Sequence, residues 1–160
     1  PFGAGVVVPG TGILLNNRMG GFGTAPGSPN RIGPGRRPAH TLTPAMVLGE
    51  NGRPELVLGT PGQAGQTCTL AQFLARLMAC GQPVEDAIAA PRWSVDLQGK
   101  PIVEGDMDAD LVRTLQAEEP ELRTMPRGWI TFGSVKAVRA GPDGLEAYAD
   151  RRRSAHAAGL

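Results

Sequence analysis

The residues best suited to chemistry lie in a glycine-rich turn, Gly59-Thr60-Pro61-Gly62-Gln63-Ala64-Gly65-Gln66, which precedes a predicted helix. Backbone N–H groups at the start of a helix have no intrahelical partner, and glycine lets a ligand approach them closely. Such a turn can hold negative charge, and its amides can form an oxyanion hole that stabilises a carbonyl oxygen during acyl transfer. The alternative is a connection that only turns a strand into a helix. On the turn alone we favour this second interpretation, because such motifs are loose.

A polar segment lies on the other side of a predicted hairpin from this turn. It runs from Arg36 to Pro44 and contains two arginines, a histidine and two threonines. Two apolar runs follow, Ala45 to Leu48 and Leu56 to Leu58, and the Asn-Gly pair between them predicts a tight turn. The hairpin therefore joins the polar segment to the glycine turn.

The side chains alone do not provide a set of nucleophile, base and orienting residue. His40 and Cys68 could be imagined as a catalytic pair, but nothing in their spacing supports it, and a buried, inert Cys68 is the better interpretation. Cys68 and Cys80 on one helix would lie about 18 Å apart, which is beyond disulfide reach. No Cys, His and Asp cluster has metal-binding spacing, so we predict neither a metal nor a cofactor.

Charge is distributed unevenly along a chain of 160 residues whose net charge is +1. The first 49 residues carry four arginines and no acid, and the acids are concentrated between residues 50 and 122. These arginines either pair with the acidic segment or contact an anionic substrate. Near the end, Asp150 with Arg151 and Arg152 forms either an ion-pair staple or a solvated tail.

Composition also argues against two kinds of partner. Nucleic-acid binding requires clustered basic residues with stacking aromatics, and this chain has only seven aromatic residues. No apolar run approaches the length of a membrane span. We therefore expect neither nucleic-acid binding nor a membrane span.

Apolar periodicity and turn residues predict an α+β fold with antiparallel strand pairing. A helix after the glycine turn stops near Gly81, and its apolar stripe consists of Leu70, Phe73, Leu74, Leu77 and Met78. The other predicted elements are strands at 6–8, 13–15, 93–97 and 102–104, a helix between Pro83 and Pro91, a helix capped by Asp106, and a hairpin at 134–140 and 145–149.

Several motifs together resemble the small subunit of γ-glutamyltransferases. They occur in the order of that family and cover most of the chain, ending near Asp150. The motifs are Gly10 to Phe22, Gly35 to Pro44, Gly59 to Gln66, Asp86 to Ile88 and Ala90 to Arg92. Residues 1–160 are therefore predicted to form a small-subunit portion of such an enzyme.

The resemblance implies part of an N-terminal-nucleophile hydrolase, whose fold is an αββα sandwich with antiparallel sheets. In that family a proenzyme cleaves itself and frees an N-terminal threonine, whose hydroxyl attacks a γ-glutamyl amide while its own amine acts as the base. The γ-glutamyl group then passes to water or to an amino acid. Glutathione and related γ-glutamyl amides are the implied substrates, and the oxyanion interpretation of the glycine turn becomes the better one.

The resemblance also implies parts that this sequence does not contain. The threonine-bearing strand should precede Pro1, and the large subunit of the same proenzyme is the implied partner. This chain alone is expected to be inactive, because the site and the central sheet both need those parts. An acylase for a different amide and a catalytically silent homologue or fragment are the alternatives.

Six positions receive roles from the same resemblance. Gly62 and Gln63 take the place of a Gly-Gly pair that supplies oxyanion amides, and the Cβ of Gln63 restricts the backbone there. His40 and Thr41 fall where many members have two serines that hold the substrate carboxylate.

The last two positions depart from the family pattern. Arg18 stands where a glutamine is common, and Gly21 stands where glutamate-binding members place an aspartate for the substrate's amino group. The loss of that carboxylate leaves γ-glutamyl specificity open and, together with His40, motivates the acylase alternative.

Overall fold

The computed structural model describes residue 3 and residues 5–158, and the chain separates into two compact units. The first unit extends to Thr41 and the second begins at Leu42. Nearly all of the regular secondary structure belongs to the second unit.

Turns dominate the first unit, which contains a short 3₁₀-helix at Arg18–Gly21. The strands predicted at 6–8 and 13–15 meet in one antiparallel bridge between Val7 and Leu14, flanked by two backbone hydrogen bonds. The turn Pro9-Gly10-Thr11-Gly12 lies between them. The two predicted strands therefore form a single bridge rather than a ladder.

The second unit contains both strands and helices. Its strands are β1 (Ala45–Leu48), β2 (Pro54–Gly59), β3 (Trp93–Val95), β4 (Pro101–Glu104), β5 (Arg123–Met125), β6 (Lys136–Gly141) and β7 (Gly144–Ala149). Its helices are α1 (Gln66–Leu74), α2 (Val84–Ala89) and α3 (Ala109–Glu118), with 3₁₀ turns at Gln63–Gly65 and Ile130–Phe132 and a π-helical turn at Ala75–Ala79. No helix in the described residues is long and apolar enough to cross a membrane.

The strands form two sheets. Four of them are antiparallel in the order β1-β2-β6-β7, and the two predicted hairpins, β1-β2 and β6-β7, are confirmed as neighbours in this sheet. The other sheet has the order β3-β4-β5. Strands β3 and β4 are antiparallel as expected, whereas β4 and β5 run parallel.

The hydrophobic core lies between one face of the four-stranded sheet and helices α1 and α2. Leu56 and Leu58 of β2 and Ala137 of β6 face the helices, because alternate residues of a strand point to the same side. Phe73 of α1 is completely buried against them. The helices contribute Leu70, Phe73, Val84, Ala87 and Ile88 to this core.

The apolar stripe of α1 is confirmed for its first part and wrong for its last residue. Leu70 and Phe73 are buried, and Leu74 and Leu77 pack against the core from its margin. Met78, however, is 64% exposed. The π-helical turn at Ala75–Ala79 changes the number of residues per turn, so the side chain of Met78 leaves the buried face.

One further prediction differs from the structure, and one strand was not predicted. Helix α3 begins after Asp108, whose carboxylate accepts a hydrogen bond from the amide of Leu111, whereas Asp106 forms an ion pair with Arg127. The two aspartates are only two residues apart, and both are suitable N-cap residues. The sequence did not indicate strand β5, because its three residues show no apolar alternation.

Candidate active site

The glycine turn connects β2 to α1 in a conformation that needs glycine at position 62. Gly62 has φ 148° and ψ 10°, which side chains rarely allow. A Cβ placed there would lie 3.3 Å from the Cα of Gly133. The amide of Gly65 donates to the carbonyl of Gly62 over 2.9 Å, which closes the turn.

Gln63 also has a positive φ, of 51°, and is the one non-glycine residue in the described chain that does. This left-handed conformation costs an L-residue about 1–2 kcal/mol. Gly62 is buried and Gln63 is exposed, so the turn presents the second residue to solvent. The Cβ of Gln63 restricts the backbone at this position, and in the structure the restriction is seen as strain in the dihedral angle φ.

Gly62 and Gln63 lie at the N-terminus of the helical segment formed by the 3₁₀ turn Gln63–Gly65 and α1. Neither of their backbone amides donates a hydrogen bond within the part of the chain that the structure describes. Two adjacent unpaired N–H groups at the start of a helix can bind an anionic oxygen. The turn thus has the donors that an oxyanion hole requires.

Replacement of Gln63 by glycine is expected to stabilise the protein. Relief of the left-handed strain exceeds the entropy that glycine adds to the unfolded chain, so the free energy of unfolding should rise by about 0.5–1 kcal/mol. Urea denaturation of the full-length protein measures this change. A fall in the midpoint would contradict the strain at position 63.

A network of buried charged side chains contacts the backbone at Phe132. Arg92 forms an ion pair with Asp150 over 2.8 Å, and its Nη1 donates to the carbonyl of Phe132 over 2.9 Å. Arg152 contacts Glu104 through two hydrogen bonds of 2.7 and 2.5 Å. Phe132 directly precedes Gly133, whose Cα lies 3.3 Å from the position that a Cβ on Gly62 would take.

This network confirms one of the two interpretations of the C-terminal sequence. Asp150 and Arg152 form a buried ion-pair staple, and the solvated-tail interpretation is wrong for both. The role of Glu104 was missed, because its partner Arg152 is 48 residues away in the sequence. A charged residue within an apolar strand was the available signal.

The pKa values in the network follow from burial and charge. Burial by itself would raise the pKa of Asp150, but the amide of Arg152 and the charge of Arg92 hold that pKa below its usual value. Burial also opposes the charged form of Arg152, yet its hydrogen bond to Glu104 and the charge of Asp150 raise its pKa. Asp150 and Arg152 therefore stay charged in the interior.

The first unit holds the other predicted site residues, and Gly21 is the most constrained of them. A Cβ at Gly21 would clash with the carbonyl oxygen of Ala39. The side chain of Asn30 bridges the same two segments, since its Nδ2 donates to the carbonyl of Gly21 and its Oδ1 accepts from the amide of Ala39 over 3.0 Å. Asn30, which the sequence did not single out, thus links Gly21 to the residue before His40.

The remaining predicted site residues are close in sequence to Gly21 or to Ala39. Arg18 begins the 3₁₀-helix that ends at Gly21, and its amide donates to Oδ1 of Asn16 over 2.8 Å. His40 and Thr41 directly follow Ala39 and are exposed. Among the described residues, no group of three or more His, Cys, Asp or Glu side chains could hold a metal ion.

Comparisons with known proteins agree with these features. The sequence profile of the gamma-glutamyltranspeptidase family matches residues 1–160. A glutathione hydrolase proenzyme of Pseudomonas aeruginosa is 34% identical over 166 residues, which cover 94% of this chain and 29% of that protein. The structure is similar to gamma-glutamyltranspeptidase from Pseudomonas nitroreducens complexed with L-DON, with a TM-score of 0.77, 29% identity, and coverage of 99% of this chain and 88% of that chain. It is also similar to cephalosporin acylase from Bacillus halodurans, with a TM-score of 0.75, 29% identity, and coverage of 92% of this chain and 27% of that chain.

The chain therefore belongs to the gamma-glutamyltranspeptidase family. The resemblance stated from the motifs is confirmed, and so is the fold class, an α+β part of an N-terminal-nucleophile hydrolase. The chain spans 26% and 29% of the length of two curated relatives, each of which is a proenzyme by name.

Proposed function

We propose that this chain is part of an enzyme that transfers or hydrolyses γ-glutamyl groups, with glutathione and related γ-glutamyl amides as substrates. The observation that carries the proposal is the pair of unpaired amides at Gly62 and Gln63. Membership of a family that includes a glutathione hydrolase proenzyme supports the γ-glutamyl substrate. The chain is proposed to supply the oxyanion turn and the substrate-lining loops.

The reaction proceeds through an acyl-enzyme on an N-terminal threonine that precedes this sequence in the whole protein. The threonine hydroxyl attacks the amide carbonyl, and its proton passes to the threonine's own amine. The carbonyl oxygen becomes an oxyanion, which accepts hydrogen bonds from the amides of Gly62 and Gln63. The amine product leaves with the proton, and water or an amino acid then attacks the ester.

The loops of the first unit are proposed to bind the substrate. Arg18, His40 and Thr41 offer a guanidinium, an imidazole and a hydroxyl group, which are suitable partners for a substrate carboxylate. Asn30 holds Gly21 to Ala39, so it fixes the backbone on which His40 and Thr41 follow.

The large subunit of the same proenzyme is the proposed partner. The face of the four-stranded sheet that points away from α1 and α2 is apolar and exposed. Met46, Val57 and Val138 lie in one cross-strand row on it and are 54%, 43% and 42% exposed. Leu145 on the same face is 81% exposed. An αββα sandwich would cover this face with a second sheet.

A second candidate function is an acylase for an amide without an α-amino group. The contact between Gly21 and Ala39 favours it, because the backbone fills the space that a carboxylate side chain at position 21 would need. Similarity to cephalosporin acylase from Bacillus halodurans also supports it. The two candidates share the oxyanion turn and differ in the acyl group.

A pair of anilide substrates separates the candidates. The full-length protein is assayed with γ-glutamyl-p-nitroanilide and with glutaryl-p-nitroanilide, which lacks only the α-amino group. Higher kcat/KM for the γ-glutamyl compound supports the first candidate, and higher kcat/KM for the glutaryl compound supports the second. No release from either compound would contradict acyl transfer by this protein.

Introduction of an aspartate at position 21 is expected to reduce activity rather than to create an amine-binding site. Gly21→Asp must displace Ala39 and with it His40, and such a shift can lower kcat/KM by about 100-fold on both anilides. Gly20→Asp is the matched control, since a Cβ at Gly20 meets nothing within 4 Å. A rise in γ-glutamyl hydrolysis by Gly21→Asp would show that the position is open.

A further inference from the structure

The hydroxyl of Thr60 occupies a buried position at the start of the glycine turn. It accepts a hydrogen bond from the amide of Ser134 over 2.8 Å and donates one to the carbonyl of Pro61 over 2.7 Å. Both of its partners are backbone groups. The hydroxyl therefore links the glycine turn, at the carbonyl of Pro61, to the amide of Ser134.

The carbonyl that Thr60 contacts belongs to the same peptide group as the amide of Gly62. Peptide bonds in the described residues are trans, so the C=O of Pro61 and the N–H of Gly62 point in opposite directions within one plane. A hydrogen bond that fixes the carbonyl also fixes the direction of the N–H. It polarises the peptide as well, which strengthens the N–H as a donor.

Ser134 is itself held firmly. The ammonium group of Lys136 donates to the carbonyl of Ser134 over 3.0 Å and to its Oγ over 2.6 Å. The amide of the next residue, Val135, donates to the carboxylate of Asp150 over 3.2 Å. Ser134 thus provides a fixed amide against which the hydroxyl of Thr60 is oriented.

We propose that Thr60 is a positioning residue for the oxyanion turn, which aims and polarises the N–H of Gly62 through the carbonyl of Pro61. This inference rests on the proposed function, since it takes the amide of Gly62 as an oxyanion donor. Thr60 touches no reacting atom, and its effect is expected in kcat. The family resemblance gave this residue no role.

Kinetics of two Thr60 variants test the proposal in the full-length protein. Thr60→Val keeps the shape of the side chain and removes the hydroxyl, so kcat should fall by about 10- to 100-fold, with KM changed by less than about twofold. Thr60→Ser keeps the hydroxyl and should restore kcat to within about threefold of the wild type. An unchanged kcat in Thr60→Val, or an equal loss in both variants, would overturn the proposal.

Thr69→Val is the matched control for the loss of a buried hydroxyl. Thr69 is fully buried in α1, and its Oγ1 donates to the carbonyl of Phe132 over 3.0 Å, outside the Pro61–Gly62 peptide. The thermal stability of Thr69→Val should fall about as much as that of Thr60→Val, while its kcat stays within about twofold of the wild type. An equal loss of kcat in the two valine variants would assign the effect to packing and overturn the proposal.

A crystal structure of Thr60→Val gives a readout that does not depend on activity. The peptide plane between Pro61 and Gly62 is expected to rotate away from its wild-type orientation, because its carbonyl has lost its donor. An unchanged plane would overturn the proposal even in an inactive protein. If the wild-type enzyme released no product from any amide, the proposed function would be wrong. The crystal structure of Thr60→Val would still show whether Thr60 orients the peptide between Pro61 and Gly62.

Discussion

Replacement of Gly62 by alanine is expected to lower kcat by about 100- to 1,000-fold, the range observed when one oxyanion donor is lost. Alanine cannot readily adopt φ 148°, and its Cβ would lie 3.3 Å from the Cα of Gly133. The turn must therefore move and redirect the amides at positions 62 and 63. Steady-state kinetics of the full-length protein with its preferred anilide measures the change.

The control for this variant is Gly105→Ala, at a glycine in the turn after β4. A Cβ at Gly105 would make only ordinary contacts, 3.5 Å or more from its neighbours, and the residue has no positive φ. Its kcat should match that of the wild type. If Gly62→Ala were as active as Gly105→Ala, the turn would have no role in the chemistry.

Neutralisation of Glu104 is expected to produce the largest loss of stability. Glu104→Gln removes the carboxylate that binds Arg152 most closely, and the buried guanidinium keeps only the longer contact of 3.3 Å to Asp150, which Arg92 shares. The free energy of unfolding should fall by about 3–5 kcal/mol. Glu104 also accepts hydrogen bonds from the amides of Arg92 and Gly128, each over 3.0 Å. Urea denaturation of the full-length protein, followed by far-UV circular dichroism, records the loss.

The contrasting variant is Glu121→Gln, which breaks an exposed ion pair with Lys100. Because solvent screens that pair, its loss should change the free energy of unfolding by no more than about 1 kcal/mol. Equal effects of the two substitutions would contradict the importance of the buried network.

Local sequence signals were sufficient for much of the second unit. Asn51-Gly52 identified the β1-β2 hairpin, and the structure shows the expected turn, with the amide of Arg53 donating to Oδ1 of Asn51 over 2.8 Å. The spacing of Leu70 and Phe73 identified α1 and its buried face. The turn and the helix depend on residues that are close in the sequence, so the local sequence pattern predicts them.

Features that depend on distant contacts were not predictable in the same way. The clash between a Cβ at Gly21 and the carbonyl of Ala39 follows from loop packing, and no local pattern encodes it. Glu104 was read simply as the last residue of a strand, although it binds Arg152 in the interior. Thr60 had no visible role until its partner Ser134 was known.

An intact mass spectrum of the full-length gene product during incubation, with the release of p-nitroaniline followed in the same sample, tests self-cleavage and acyl transfer together. We expect the mass of one polypeptide to be replaced by two, with the smaller fragment beginning at a threonine upstream of Pro1, and anilide release to rise as cleavage proceeds. Cleavage without release from the γ-glutamyl compound would favour the acylase candidate. A polypeptide that stays intact and releases neither anilide would contradict the proposal of an autoprocessed acyl-transfer enzyme.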